Sequence, residues 1–157
     1  MRAASLTRRT RLAAKDRDSL YLTSEGTLWA WGYNGSGQLG NGTYLSSSVP
    51  VQSYVGYNAD YLAAGSAHVV MMIPYGYVYG WGSNSHGQLG DGSNADYTSP
   101  VLVFGVTFGI TSTSAGGNFS LARRSNGTTA TWGGNLYGQL AQGTLGYRST
   151  PGTVTFP

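Results

Sequence analysis

One phrase occurs three times in this chain and constrains it more than any other feature. It reads Trp31-Gly32-Tyr33-Asn34-Gly35-Ser36-Gly37-Gln38-Leu39-Gly40, then Trp81-Gly82-Ser83-Asn84-Ser85-His86-Gly87-Gln88-Leu89-Gly90, then Trp132-Gly133-Gly134-Asn135-Leu136-Tyr137-Gly138-Gln139-Leu140-Ala141. The tryptophans stand 50 and then 51 residues apart. Other landmarks keep that offset: Pro50, Pro100 and Pro151; Gly26, Gly76 and Gly127; Leu12-Ala13-Ala14 against Leu62-Ala63-Ala64. A fixed period of this length means stacked copies of one supersecondary unit, because a single copy cannot bury its own apolar face. Three units are expected at about 12–61, 62–112 and 113–157, behind a basic tail of residues 1–11.

Each unit reads as short strands. Val69-Val70-Met71-Met72-Ile73 is an apolar run of strand length. Tyr75-Gly76, Glu25-Gly26 and Asn126-Gly127 mark the turn that follows, and an Asn-Gly pair favours a type I′ hairpin. In the next strand Tyr77, Tyr79 and Trp81 share one face, and Val78, Gly80 and Gly82 the other. A bulky face of one sheet can therefore nest against the small face of its neighbour. Asn41-Gly42 and Asp91-Gly92 make a second tight turn, and Pro50 and Pro100 then open an extended segment of the kind found at a strand start or sheet edge. Four strands per 50 residues is the arithmetic of a propeller blade.

The pattern W-G-x-N-x-x-G-Q-L, with a preceding A-A-G-x-x-H and a following S-x-P-V, resembles the regulator of chromosome condensation repeat. The resemblance implies an all-β fold of three four-stranded β-propeller blades. Members of that family bind proteins: some are nucleotide exchange factors for a small GTPase on chromatin, some regulate ubiquitin ligases, and a bacterial relative inhibits a β-lactamase. The resemblance also implies a structural role for Trp31, Gly37, Gln38, Trp81, Gly87, Gln88, Trp132, Gly138 and Gln139. The units depart from the pattern at Lys15 and Asp18, which stand where unit two has Gly65 and His68, and at Phe119 and Ala141 in unit three. Propellers close with about four to eight blades, so three leave an incomplete ring with two exposed flanks. Further blades or head-to-tail self-association are the expected remedies.

Composition narrows the chemistry. With 10% charged and 40% hydrophobic residues the chain is too apolar for intrinsic disorder. The absence of cysteine removes disulfides, thiolate metal sites and a thiol nucleophile. No apolar run approaches the roughly 18 residues that span a bilayer, which predicts no membrane association. The net charge of +3 divides into +4 over residues 1–18 and −1 over the rest. Nucleic-acid contact is thus expected only through the basic tail, which also lacks the apolar core of a secretory signal.

Gly35-Ser36-Gly37-Gln38-Leu39-Gly40 matches a dinucleotide-binding fingerprint, but Asn41-Gly42 ends it before a helix can start, so it reads as a structural turn. His68 and His86 are the only histidines and the acids are sparse, so no metal site and no cofactor are expected. His68 is expected to bond a loop carbonyl. No G-x-S-x-G elbow appears, and Glu25 is the only glutamate. A non-enzymatic protein follows. Candidate partner contacts are the charged Lys15-Asp16-Arg17-Asp18 loop, Tyr33, His86 and Tyr137, and the tyrosines in or near connections, Tyr54, Tyr57, Tyr61, Tyr97 and Tyr147, are further options, because tyrosines give contact area at low entropic cost. The expected function is a protein-interaction module. The alternatives are a structural subunit of a virion, appendage or filament, and small-GTPase exchange.

Overall fold

The computed structural model describes residues 10–53 and 59–156. The basic residues up to Arg9, and Tyr54 and Tyr57, lie outside them. The first sheet contains β1 (Arg11–Lys15), β2 (Asp18–Leu22), β3 (Leu28–Gly32) and β4 (Ser47–Gln52). The second contains β5 (Tyr61–Ala64), β6 (His68–Met72), β7 (Val78–Gly82) and β8 (Tyr97–Leu102). The third contains β9 (Ile110–Ala115), β10 (Phe119–Arg124), β11 (Thr129–Asn135) and β12 (Gly146–Val154). Every sheet is an antiparallel meander in chain order. The first strands of successive sheets pack against one another, so the described residues form an arc of three blades, not a closed ring.

Strand register explains how the blades stack. Leu20 pairs with Ala30 and Leu22 with Leu28, which puts these four on one face of the first blade. Val69 pairs with Trp81 and Met71 with Tyr79 on the facing side of the second. All four residues of the first set join Val69, Met71 and Trp81 in one buried cluster. The opposite face of the second blade, Val70, Met72 and Val78, packs against Ala122, Ala130 and Trp132 of the third. Large-on-small nesting thus holds at both junctions. A fully buried aromatic dominates each, since Trp81 and Trp132 are both at 0% exposure.

The tryptophan–glycine pair has a backbone cause. Register slips between Ala30 and Gly32, Gly80 and Gly82, and Thr131 and Gly133, so each tryptophan sits in a bulge opposite the outermost strand. The following glycine adopts φ 109°, 96° and 102° in the three blades. A Cβ there would lie 2.3–2.5 Å from the carbonyl oxygen of Arg17, Ala67 or Asn118. Only glycine fits both the angle and the space.

Two local expectations are corrected. The Asn126-Gly127 hairpin is not a two-residue type I′ turn: only Gly127 has positive φ, with Gly127 N donating to Arg124 O and Arg124 N to Thr128 O. Three residues form the loop, and a glycine bulge closes it. Pro50 and Pro100 lie inside β4 and β8 instead of starting them. Both strands are outermost in their sheets, where a missing N–H leaves no ladder bond unmade.

Trp132→Ala should therefore destabilise the chain by about 3–5 kcal/mol. Trp31→Ala should cost markedly less, because the equivalent indole of the first blade is only half-buried. Urea unfolding of the two variants checks this, and equal losses would contradict the stacking order.

Candidate functional site

The β1–β2 and β3–β4 connections of each meander lie at the same end of its sheet. Backbone bonds tie them together: Tyr33 N to Arg17 O at 2.8 Å, Ser83 N to Ala67 O at 2.7 Å and Gly134 N to Asn118 O at 2.7 Å. A buried asparagine organises each long loop. Asn34, Asn84 and Asn135 accept the amides of Leu39, Leu89 and Leu140 at 2.8–2.9 Å. Their Nδ2 groups donate across the loop, Asn34 to the carbonyls of Thr43 and Leu45, Asn84 to that of Ser93. The glutamine of each repeat then shapes the tip, where its Oε1 accepts the amide of Ser36, His86 or Tyr137. These buried bonds hold the loop tips in place, so their side chains are presented at little ordering cost.

The candidate contacts fall into two groups on this end. Arg17 and Tyr33 meet on the first blade, the guanidinium 5.9 Å from the ring centroid. His86 and Tyr137 line one cleft of about 210 Å³ between the second and third blades, with Asn118, Phe119, Leu136 and Gln139. Tyr137 is 92% exposed and Leu136 66%. Asp16 is exposed and Lys15 half-buried. Asp18 differs from the expectation: it is 5% exposed, the first residue of β2 paired with Gly32, and unavailable to a partner. Tyr61 and Tyr97 are the first residues of β5 and β8 and Tyr147 the second of β12, beside the connections that lead into them. Leu136 was not singled out from sequence, and Phe119 only as a departure from the repeat, not as a contact. Their signal was their departure from the other repeats, where Ser85 and His68 hold the same positions.

The junctions below this end are polar as well as apolar. Trp81 Nε1 donates to Gln38 O at 2.9 Å, and Trp132 Nε1 to Gln88 O at 2.8 Å. Gln88 O also accepts the Ser120 hydroxyl at 2.8 Å. That hydroxyl has one proton, so His68 Nε2, 2.9 Å away, must be the donor to it. Burial holds the His68 pKa down to about 3, so the ring is neutral and its one proton sits on Nε2. Its partner is a serine of the next blade, not a loop carbonyl. Asp18 holds the position of His68 in the first blade, but Val69 stands where Ser120 would answer it. Its Oδ1 finds no partner among the described residues, and burial, aided by the negative charge of Asp16, raises its pKa to about 7. Among the described residues no group of three or more His, Asp or Glu is arranged to hold a metal ion, and no helix is long and apolar enough to cross a membrane.

Three repeated meanders, nested face to face and clipped by tryptophan–carbonyl bonds, define a β-propeller repeat protein. The model of the Regulator of chromosome condensation (RCC1) repeat matches residues 25–72 and 75–123, and a second RCC1 repeat model matches 10–38 and 110–139. The chain belongs to the RCC1 repeat family. It is 36% identical over 131 residues to the RCC2 homolog of Xenopus laevis, covering 82% of this chain and 26% of that protein. Its fold is similar to that of human WBSCR16, with a TM-score of 0.82 at 21% identity over 98% of this chain and 40% of that one. It is also similar to Prp20p of Saccharomyces cerevisiae, described with its binding properties to Gsp1p and histones. There the TM-score is 0.80 at 24% identity, over 94% of this chain and 36% of the other. The chain thus spans less than half the length of each of these relatives.

The raised Asp18 pKa has a stability consequence. The folded state binds this proton more tightly than the unfolded state, so its contribution is full below the ordinary 3.8 and is lost as pH rises to about 7. Asp18→Asn should show a stability advantage over the wild type that grows across this window and levels off above it. Thermal melts of both proteins through the window check it, and a pH-independent difference would contradict it.

Proposed function

We propose that the chain is a non-enzymatic protein-interaction module whose binding face is the loop end carrying Arg17, Tyr33, His86, Leu136 and Tyr137. One observation carries this reading: exposed aromatic and apolar side chains stand on turns whose backbones are fixed by buried asparagine and glutamine hydrogen bonds. Rigid aromatic anchors around a cleft are what protein interfaces use as hot spots. The RCC1 family membership supports a binding role, and the binding of Gsp1p and histones described for Prp20p is of the same kind.

The test pairs the wild type with His86→Ala/Tyr137→Ala. Both side chains lie outside the buried clusters, so thermal stability should be unchanged. Binding to a partner captured by the wild type and then purified should weaken by about 30-fold or more in calorimetry, the loss expected for an aromatic hot spot. A double variant that binds as tightly as the wild type would contradict the assignment. Accelerated nucleotide release from a small GTPase, measured in parallel, would instead favour exchange activity.

A further inference from the structure

An asparagine followed by glycine is open to reaction with its own backbone, because glycine leaves its amide nitrogen unhindered beside the side-chain amide. The chain holds three such pairs, Asn34-Gly35, Asn41-Gly42 and Asn126-Gly127. The fold sets them in different surroundings. Asn34 is fully buried. Its Nδ2 donates to Thr43 O and Leu45 O, and its Oδ1 accepts from Leu39 N. A side chain fixed at both polar atoms is not free to turn its Cγ onto Gly35 N.

The other two pairs are one tripeptide, Asn-Gly-Thr, with one local bonding pattern. Asn41 Oδ1 accepts from Thr43 N at 3.2 Å and Thr43 Oγ1 at 3.0 Å. Asn126 Oδ1 accepts from Thr128 N at 3.1 Å and Thr128 Oγ1 at 2.8 Å. The two differ in where the glycine N–H goes. Gly42 N donates to Thr98 O of the second blade at 2.9 Å, so freeing it means parting two blades. Asn41 Oδ1 also receives Asn34 Nδ2 at 3.3 Å. Gly127 N donates only within its own turn, to Arg124 O at 3.1 Å. Asn126 and Gly127 are both exposed, and a Cβ placed on Gly127 would meet nothing within 4 Å. Exposure belongs to this position in the blade: Glu25 and Tyr75 occupy it in the first and second blades and are exposed although another blade follows each.

We propose that Asn126 converts spontaneously to isoaspartate and aspartate in the folded protein, and that the fold holds Asn34 and Asn41 unreactive. Gly127 N gives its proton to hydroxide and bonds to Asn126 Cγ. The Cγ–Nδ2 bond then breaks, and ammonia leaves with a proton from solvent, closing a cyclic imide. Water opens the imide. Cleavage between Gly127 N and Cγ leaves aspartate; cleavage between Gly127 N and the main-chain carbonyl carbon leaves isoaspartate, with the chain running through Cγ. The two Thr128 donors stand on the oxygen where negative charge develops during the attack. Either product puts a carboxylate two residues from Arg124, whose Nη1 donates to Thr153 Oγ1 at 3.2 Å.

The test incubates the folded full chain in mildly alkaline buffer beside the same chain in concentrated urea, with circular dichroism to follow the fold. Peptide mapping by mass spectrometry reads the exchange of an amide NH2 for OH at each asparagine. In urea all three pairs should convert at comparable rates. In the folded chain Asn126 should convert at least about tenfold faster than Asn41, because Gly42 N is released only by opening a junction, and Asn34 should stay intact. The Asn126 peptide should give two products of equal mass, isoaspartyl and aspartyl. Asn126→Gln should abolish the acidic species that the folded wild type forms on ion exchange. A folded chain that keeps Asn126 intact while the urea sample converts overturns the proposal. So does Asn41 converting as fast as Asn126, or an acidic species that forms undiminished in Asn126→Gln.

Discussion

The indole-to-carbonyl contact between blades is the interaction on which the structure depends. A blade has two faces to bury, and apolar nesting alone is non-directional. The hydrogen bond from Trp81 to Gln38 and from Trp132 to Gln88 fixes how one sheet sits on the next. It also uses a donor and an acceptor whose burial would otherwise be costly. Around it the requirements follow in sequence. The carbonyl must stand on a tight turn, so Gln38 and Gln88 follow glycines. The indole must seat close to that turn, so Gly40 and Gly90 lack a side chain. The indole must lean out of its own sheet, so a bulge and a glycine of positive φ follow it.

The two junctions are not identical, and the difference is electrostatic. Between the second and third blades a neutral histidine, a serine hydroxyl and a shared carbonyl form a buried hydrogen-bonded chain, in which only His68 Nδ1 finds no partner among the described residues. Between the first and second, Asp18 occupies the histidine position and Val69 answers it with a methyl group. Burying a carboxyl beside an apolar neighbour favours its protonated form. The first junction is therefore the one that weakens as pH rises from 3.8 to about 7, and it lies beside the open flank.

Much of the fold was legible because repetition multiplies each weak signal by three. A single Trp-Gly or Asn-Gly would mean little; in register they set strand spacing, face and blade number. The turn type at Asn126-Gly127 was not legible, because one Asn-Gly pair suits both a two-residue turn and a three-residue loop with a glycine bulge, and the flanking hydrogen bonds decide. The common end of the sheets that carries Arg17, Tyr33, His86 and Tyr137 emerges from the meander, whose β1–β2 and β3–β4 connections fall on one side. The burial of Asp18 was hidden because a charged run reads as solvated, whereas β-pairing with Gly32 turns its last member inward. The His68–Ser120 bond joins residues of different blades and is visible only once the blades are stacked.

Hydrogen exchange of the four indole Nε1–H groups, followed by NMR, tests the central contact most directly. The Nε1 protons of Trp81 and Trp132 should exchange orders of magnitude more slowly than those of Trp29 and Trp31, because opening them requires separating two blades. Equally fast exchange of all four would contradict the account.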